Sequence, residues 1–145
     1  MNDQKIYQRI GEFLRSIMPE NVLEIYYIGC IYPDYSAGGA EWLTKENKIV
    51  SFEMGQRPYH IESQIDDLIV ELRLLDIFKE KWTHFKISLT EEGKIDFAFA
   101  YIPKDDYWPG LFMKGVSELN EEELDTYNIP LQDWEECMKL KEQNK

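Results

Sequence analysis

The chain has 145 residues, 43% of them apolar and 30% charged, and carries a formal net charge of −12. That length supports one domain, residues 1–145, with its own core and no covalent staples. No apolar run approaches the ~20 residues of a membrane span, the start Met1-Asn2-Asp3-Gln4-Lys5 lacks the apolar stretch of a secretion signal, and the charge disfavours nucleic acid and anionic membrane as partners. The two cysteines, Cys30 and Cys137, have no C-x-x-C spacing and are expected to be reduced thiols of a cytoplasmic protein.

Asp3 to Ile17 predicts a helix. Ile6, Ile10, Phe13 and Ile17 recur at spacings of three and four, with Tyr7 and Leu14 widening the stripe. Asn2 or Asp3 is placed to cap it, and Pro19 stops it. Val22 to Tyr32, rich in Ile, Tyr and Val, predicts a strand. Pro33 to Gly39 has turn composition; Gly38-Gly39 lacks the Lys-Ser/Thr of a phosphate loop. Glu41 to Thr44 and Lys48 to Met54 predict two further strands, and Gly55 to Tyr59 a loop.

Ile61 to Lys81 predicts the longest helix, with Ile65, Leu68, Ile69, Leu72, Leu75 and Phe78 on one stripe and Glu62 or Ser63 at its cap. From Phe85 to Tyr101 the pattern changes to a period of two. Phe85, Ile87 and Leu89 alternate with polar residues, and Phe97, Phe99 and Tyr101 alternate with alanines. Gly93 lies between the two runs, so this stretch predicts a β-hairpin with a bulged loop at the centre of a sheet. After Tyr101, Pro103 and Pro109 break the pattern. Glu121 to Tyr127 predicts a short helix and Leu131 to Lys141 another, with Trp134, Cys137 and Met138 along it; the chain end, residues 136–145, is expected to fray. The fold class is therefore α+β: an antiparallel sheet packed against an N-terminal helix and a long middle helix, with short helices at the C-terminus.

Candidate chemistry is sparse. His60 and His84 have no metal-ligand or nucleophile spacing around them, and no G-x-S-x-G occurs. No cofactor, metal or catalytic residue is expected. From Asp105 to Glu136 the chain has ten acids and a single base, Lys114. Asp105-Asp106-Tyr107-Trp108 combines charge that steers a partner with aromatic surface that can anchor one. The alternative is that Trp108 tucks into the core while the acids face water.

The residues Ile6-Tyr7-Gln8-Arg9-Ile10, Ile17-Met18-Pro19-Glu20, Ile25-Tyr26, Trp82-Thr83-His84-Phe85-Lys86-Ile87-Ser88-Leu89, Glu92-Gly93-Lys94-Ile95, Phe97-Ala98-Phe99, Tyr101 and Asp105-Asp106 come in an order that resembles the YezG-like family of bacterial immunity proteins. The resemblance covers most of residues 3 to 130. It implies an antiparallel sheet packed on helices, and a role in binding and neutralising a cognate toxin, often a nuclease. A nuclease carries a basic groove for phosphate, and an acidic inhibitor is steered to it. On that reading Asp105, Asp106, Tyr107, Trp108, Glu121, Glu122 and Glu123 are the candidate partner-binding residues. An acidic adaptor with a partner other than a toxin, and an enzyme built on a carboxylate pair, are the competing classes.

Overall fold

The computed structural model describes residues 2–78 and 81–143. In chain order it contains α1 (Asp3–Ile17), β1 (Val22–Tyr32), β2 (Tyr35–Thr44), β3 (Ile49–Ser51), α2 (Tyr59–Arg73), β4 (His84–Thr90), β5 (Ile95–Ala100) and α3 (Leu131–Gln143), with 3₁₀ turns at Lys104–Asp106, Val116–Glu118 and Glu121–Glu123. The strands form one antiparallel sheet in the order β3-β2-β1-β4-β5. The fold is α+β as the sequence predicts. The hairpin over 85–101 is present as β4–β5 but forms one flank, and β1 occupies the centre.

Helix α1 begins where Asn2 Oδ1 accepts the Lys5 N–H at 2.9 Å, satisfying one of the free donors of the first turn. Ile6, Ile10 and Leu14 are fully buried, a spacing of four that keeps one face inward. Burying each contributes about 1.5–3 kcal/mol. Together with Ile65, Ile69 and Leu72 of α2 they cover one face of the sheet, made by Ile25, Tyr27, Phe85, Ile87 and Leu89 with Phe97 and Phe99 at its margin. Gly29 makes this interface possible. A Cβ there would meet the Ala37 carbonyl oxygen and lie 2.7 Å from the Phe85 ring.

Several boundaries differ from the sequence expectation, each for a tertiary reason. The turn predicted over Pro33 to Gly39 is only Pro33-Asp34; β2 starts at Tyr35 because Tyr35 to Gly39 pair with β1. The strand predicted over Lys48 to Met54 shrinks to Ile49–Ser51, the part that finds a partner in Glu41–Leu43 of β2. Helix α2 starts at Tyr59, after Pro58, without a side-chain cap. Glu62 is buried instead, held by Arg57 through Nη2 at 2.7 Å and Nε at 3.1 Å.

That helix also ends early, at Arg73 rather than Lys81. Beyond it the chain folds back so that Phe78 and Trp82 pack on Phe99, and Arg73 Nε donates to the Trp82 carbonyl at 2.8 Å. A continuing helix would carry Phe78 away from the sheet. Lys79 and Glu80, which fall in the predicted helix, lie outside the described residues. The helix predicted over Glu121 to Tyr127 is a 3₁₀ turn at Glu121–Glu123 followed by turns, and α3 continues through Gln143.

Residues beyond Ile102 build a second hydrophobic cluster from Leu111, Val116, Leu119, Leu124 and Ile129, with Trp108, Tyr127, Trp134 and Cys137 against it. Tyr107 ties it to the other face of the sheet, packing edge-on against Tyr32 and tilted against His84.

Candidate partner-binding surface

The chain leaves β5 through Ile102, whose N–H is received by Thr83 Oγ1 at 2.8 Å and whose carbonyl accepts the Tyr32 hydroxyl at 2.7 Å. Lys104 is then pinned on the sheet. Its Nζ reaches Asp34 at 3.0 Å and lies 4.8 Å from the Tyr32 ring centroid and 5.4 Å from that of Tyr35. These contacts fix where the acid-rich segment starts.

The acids of that segment do two kinds of work. Asp106 takes the Ser117 N–H on Oδ1 at 2.8 Å and the Ser117 hydroxyl on Oδ2 at 2.6 Å. Glu118 accepts the Gly115 N–H at 2.6 Å. Glu123 forms a reciprocal capping box with Asn120, at 3.0 and 3.1 Å, and pairs with Lys114 at 3.3 Å. Those backbone and lysine contacts hold its carboxyl below the usual glutamate range. These three acids fold the segment.

Asp105, Glu121 and Glu122 are exposed, and among the described residues their carboxylates make no hydrogen bond or ion pair. Asp125, Glu135 and Glu136 are exposed too. Of the two predicted aromatics, Tyr107 is half-buried among the rings of Tyr32, Tyr35 and His84. Trp108 donates from Nε1 to the Tyr127 carbonyl at 3.1 Å within the second cluster. The 105–108 and 121–123 groups thus belong to one packed unit, joined by Trp108 to Tyr127 and by Lys114 to Glu123. Asp106, Tyr107, Trp108 and Glu123 shape it, and Asp105, Glu121 and Glu122 supply its free charge. With ten acids and one base, residues 105–136 carry −9 of the chain's −12.

Both cysteines are free. Burial first, and then the Asp106 charge, push the Cys137 thiol up to about 11, and burial raises that of Cys30, so neither is a ready thiolate. His84 is buried, which lowers its pKa. Its Nδ1 lies 3.0 Å from the Thr83 hydroxyl, and its Nε2 has no partner among the described residues. Among the described residues no three of His, Cys, Asp and Glu are grouped to hold a metal, and no helix is long and apolar enough to cross a membrane.

A feature the sequence reading missed lies on the helix-covered face of the sheet. Tyr27 donates its hydroxyl to Asp66, next to the Arg57–Glu62 pair. Burial, then the Glu62 and Asp67 charges, raise the Asp66 carboxyl above its ordinary range against the lowering by that hydroxyl. The residue as a whole is nonetheless exposed, so the carboxylate is tucked in but reachable. The sequence signal beside it is the small-residue run Ser36-Ala37-Gly38-Gly39, which falls in the turn expected over Pro33 to Gly39.

The molecule is thus a helix-backed antiparallel sheet bearing a separately packed, strongly acidic flap: a scaffold that offers surface and charge. The family model described as "Immunity protein YezG-like" matches residues 4–108, and the chain belongs to that family. The match takes in both sheet-covering helices and all five strands and stops at Trp108, short of the 3-to-130 span the resemblance suggested. No curated protein matches the chain.

Proposed function

We propose that this protein is a cytoplasmic, non-enzymatic immunity protein that neutralises a basic toxin domain, in the first instance a nuclease, by laying its acidic flap over the toxin's phosphate-binding groove. The family supplies the immunity role and a toxin as partner in general. The observation that carries the finer reading is the concentration of −9 of the net charge in residues 105–136, with Asp105, Glu121 and Glu122 unengaged by their own fold. A nuclease groove attracts polyphosphate through Lys and Arg. Carboxylates held at comparable density are drawn to the same field, which accelerates encounter and makes it salt-sensitive. Tyr107 acts here by holding the flap to the sheet, and Trp108 by packing inside the flap.

The test is co-expression with the toxin domain encoded by the adjacent reading frame, followed by purification of the complex. Wild type is expected to protect the cells and co-purify. Reversing Asp105, Glu121 and Glu122 to Lys is expected to weaken both. A strongly acidic partner, or full protection by the triple reversal, would remove the acidic flap from the mechanism.

A further inference from the structure

Strand β2 is only half covered on its outer side. Strand β3 pairs with Glu41, Trp42 and Leu43 and goes no further, so among the described residues no strand lies on the outer side of Tyr35 to Ala40. The direction of the backbone groups follows from the register. Tyr32 and Tyr35 close the two-residue turn, so Tyr35, Ala37 and Gly39 turn their N–H and C=O towards β1, and Ser36 and Gly38 turn theirs outward. Two contacts agree with this parity. The Gly38 carbonyl is approached from outside by Arg57 Nη2 at 3.4 Å, and the Thr44 N–H bonds outward to Lys48 at 2.8 Å. Among the described residues nothing pairs with the Ser36 N–H and C=O or with the Gly38 N–H.

Edge strands are usually blunted by charge, proline or a bulge. This one carries only small residues, Ser36, Ala37, Gly38 and Gly39, with the Arg57 guanidinium reaching it from outside, at Gly38 and Gly39. A cavity borders it on each face, and Ala37 and Gly38 line both. The one on the open face, about 430 Å³, has an apolar part formed by Ile28, Leu111 and Phe112 and a polar part that includes Glu41, Arg57 and His84. The one on the helix face, about 270 Å³, is lined by Ile31, Ile69 and Val70, with the Asp66 carboxylate as its charged group. A strand added to a sheet sends alternate side chains to opposite faces. Strand addition of this kind draws affinity from main-chain bonds and selectivity from pockets for alternate side chains.

We infer that the Tyr35–Gly39 edge of β2 receives an extended segment of the protein partner as an added strand, its side chains alternating between an apolar residue in the open-face cavity and a basic residue facing Asp66. The segment's backbone pairs with Ser36 and Gly38 and displaces the long Arg57 contact. Asp66 accepts the basic side chain while keeping its bond from Tyr27. This inference rests on the basic protein partner of the preceding section but uses a surface separate from the acidic flap. The flap steers, and the edge sets register.

The experiment titrates the adjacent-frame toxin domain, in a catalytically inactive form, into the full-length protein. Ser36→Pro removes one outward N–H that has no internal partner, at an edge position where proline is tolerated. It is expected to bind at least about tenfold more weakly, the equivalent of one main-chain bond with its neighbours disturbed. Ser36→Ala, which keeps the backbone, is expected to bind as wild type, and Asp66→Asn several-fold more weakly. Circular dichroism checks that each variant is folded. Independently of any variant, the Ser36 and Gly38 amides of wild type should become protected from hydrogen exchange in the complex. Unchanged binding by Ser36→Pro, or unprotected amides, overturns the inference and leaves the immunity reading standing. Failure of wild type to bind removes the immunity reading and this inference with it. A wild-type dimer that Ser36→Pro converts to monomer would assign the edge to self-association and overturn the inference as well.

Discussion

Asp106 and Asp105 are adjacent and chemically identical, yet the structure assigns them opposite roles, and Asp106→Ala tests this. Asp106 bridges the 3₁₀ turns Lys104–Asp106 and Val116–Glu118 through two short bonds to Ser117. Ser117 is 7% exposed, so losing the carboxylate leaves a backbone N–H and a hydroxyl with poor access to water. Bonds to a charged acceptor contribute about 1.5–3 kcal/mol each, and stranded buried groups cost about 1–3 kcal/mol. Because Asp106 is only half-buried and borders, with Ser117 and Glu118, a cavity of about 390 Å³ that can admit water, the combined loss is expected to be ~2–3 kcal/mol. For a chain of this size that lowers Tm by roughly 5–10 °C. Thermal unfolding followed by circular dichroism gives the global value, and tryptophan fluorescence gives the local one. Trp108 and Trp134 pack in the flap while Trp42 and Trp82 pack in the main core, so fluorescence should change before ellipticity. Asp105→Ala should leave Tm unchanged. An Asp106→Ala protein within about 0.5 kcal/mol of wild type, the range of ordinary surface changes, would refute the assignment.

Gly29→Ala should cost about 1–3 kcal/mol or more by overpacking against Phe85 and the β2 backbone, measured by urea unfolding; near-neutral behaviour would mean that β1 and β2 can part cheaply. His84 has a folded pKa below its unfolded value because burial disfavours the cation. Its neutral form therefore stabilises the fold above the unfolded pKa of about 6.5, and that contribution falls as pH drops below it. Urea midpoints at pH 7, 6 and 5 should decline more steeply for wild type than for His84→Gln, and equal slopes would count against this. Asp66 runs the other way: its raised folded pKa means that lowering the pH from neutral towards the unfolded carboxylate range favours the folded state, a trend Asp66→Asn should lose. Reversing Asp105, Glu121 and Glu122 to Lys should slow association with a basic partner and flatten its salt dependence, with little change in Tm; stopped-flow at two ionic strengths separates these outcomes.

Periodicity was enough to identify the secondary structure wherever local and tertiary preferences agree. Asp3–Ile17 and Val22–Tyr32 were readable to the residue, because a stripe of Ile and Leu at spacing four and a run of β-branched and aromatic residues each have one stable solution. The 85–101 hairpin with Gly93 at positive φ was readable to within a residue at its ends, and the crowding of acid after Asp105 was visible in the sequence itself. The sheet order, the early end of α2 and the reach of β2 through Ser36 to Gly39 were decided only in three dimensions. A glycine-rich run has no preference of its own, so pairing with β1 makes it a strand. Phe78 leaves the helical path because Trp82 and Phe99 offer it a better contact. The division of labour among the acids has the same origin. Asp105 and Asp106 are indistinguishable along the chain, and what separates them is that Ser117, brought up by a distant turn, reaches one and not the other.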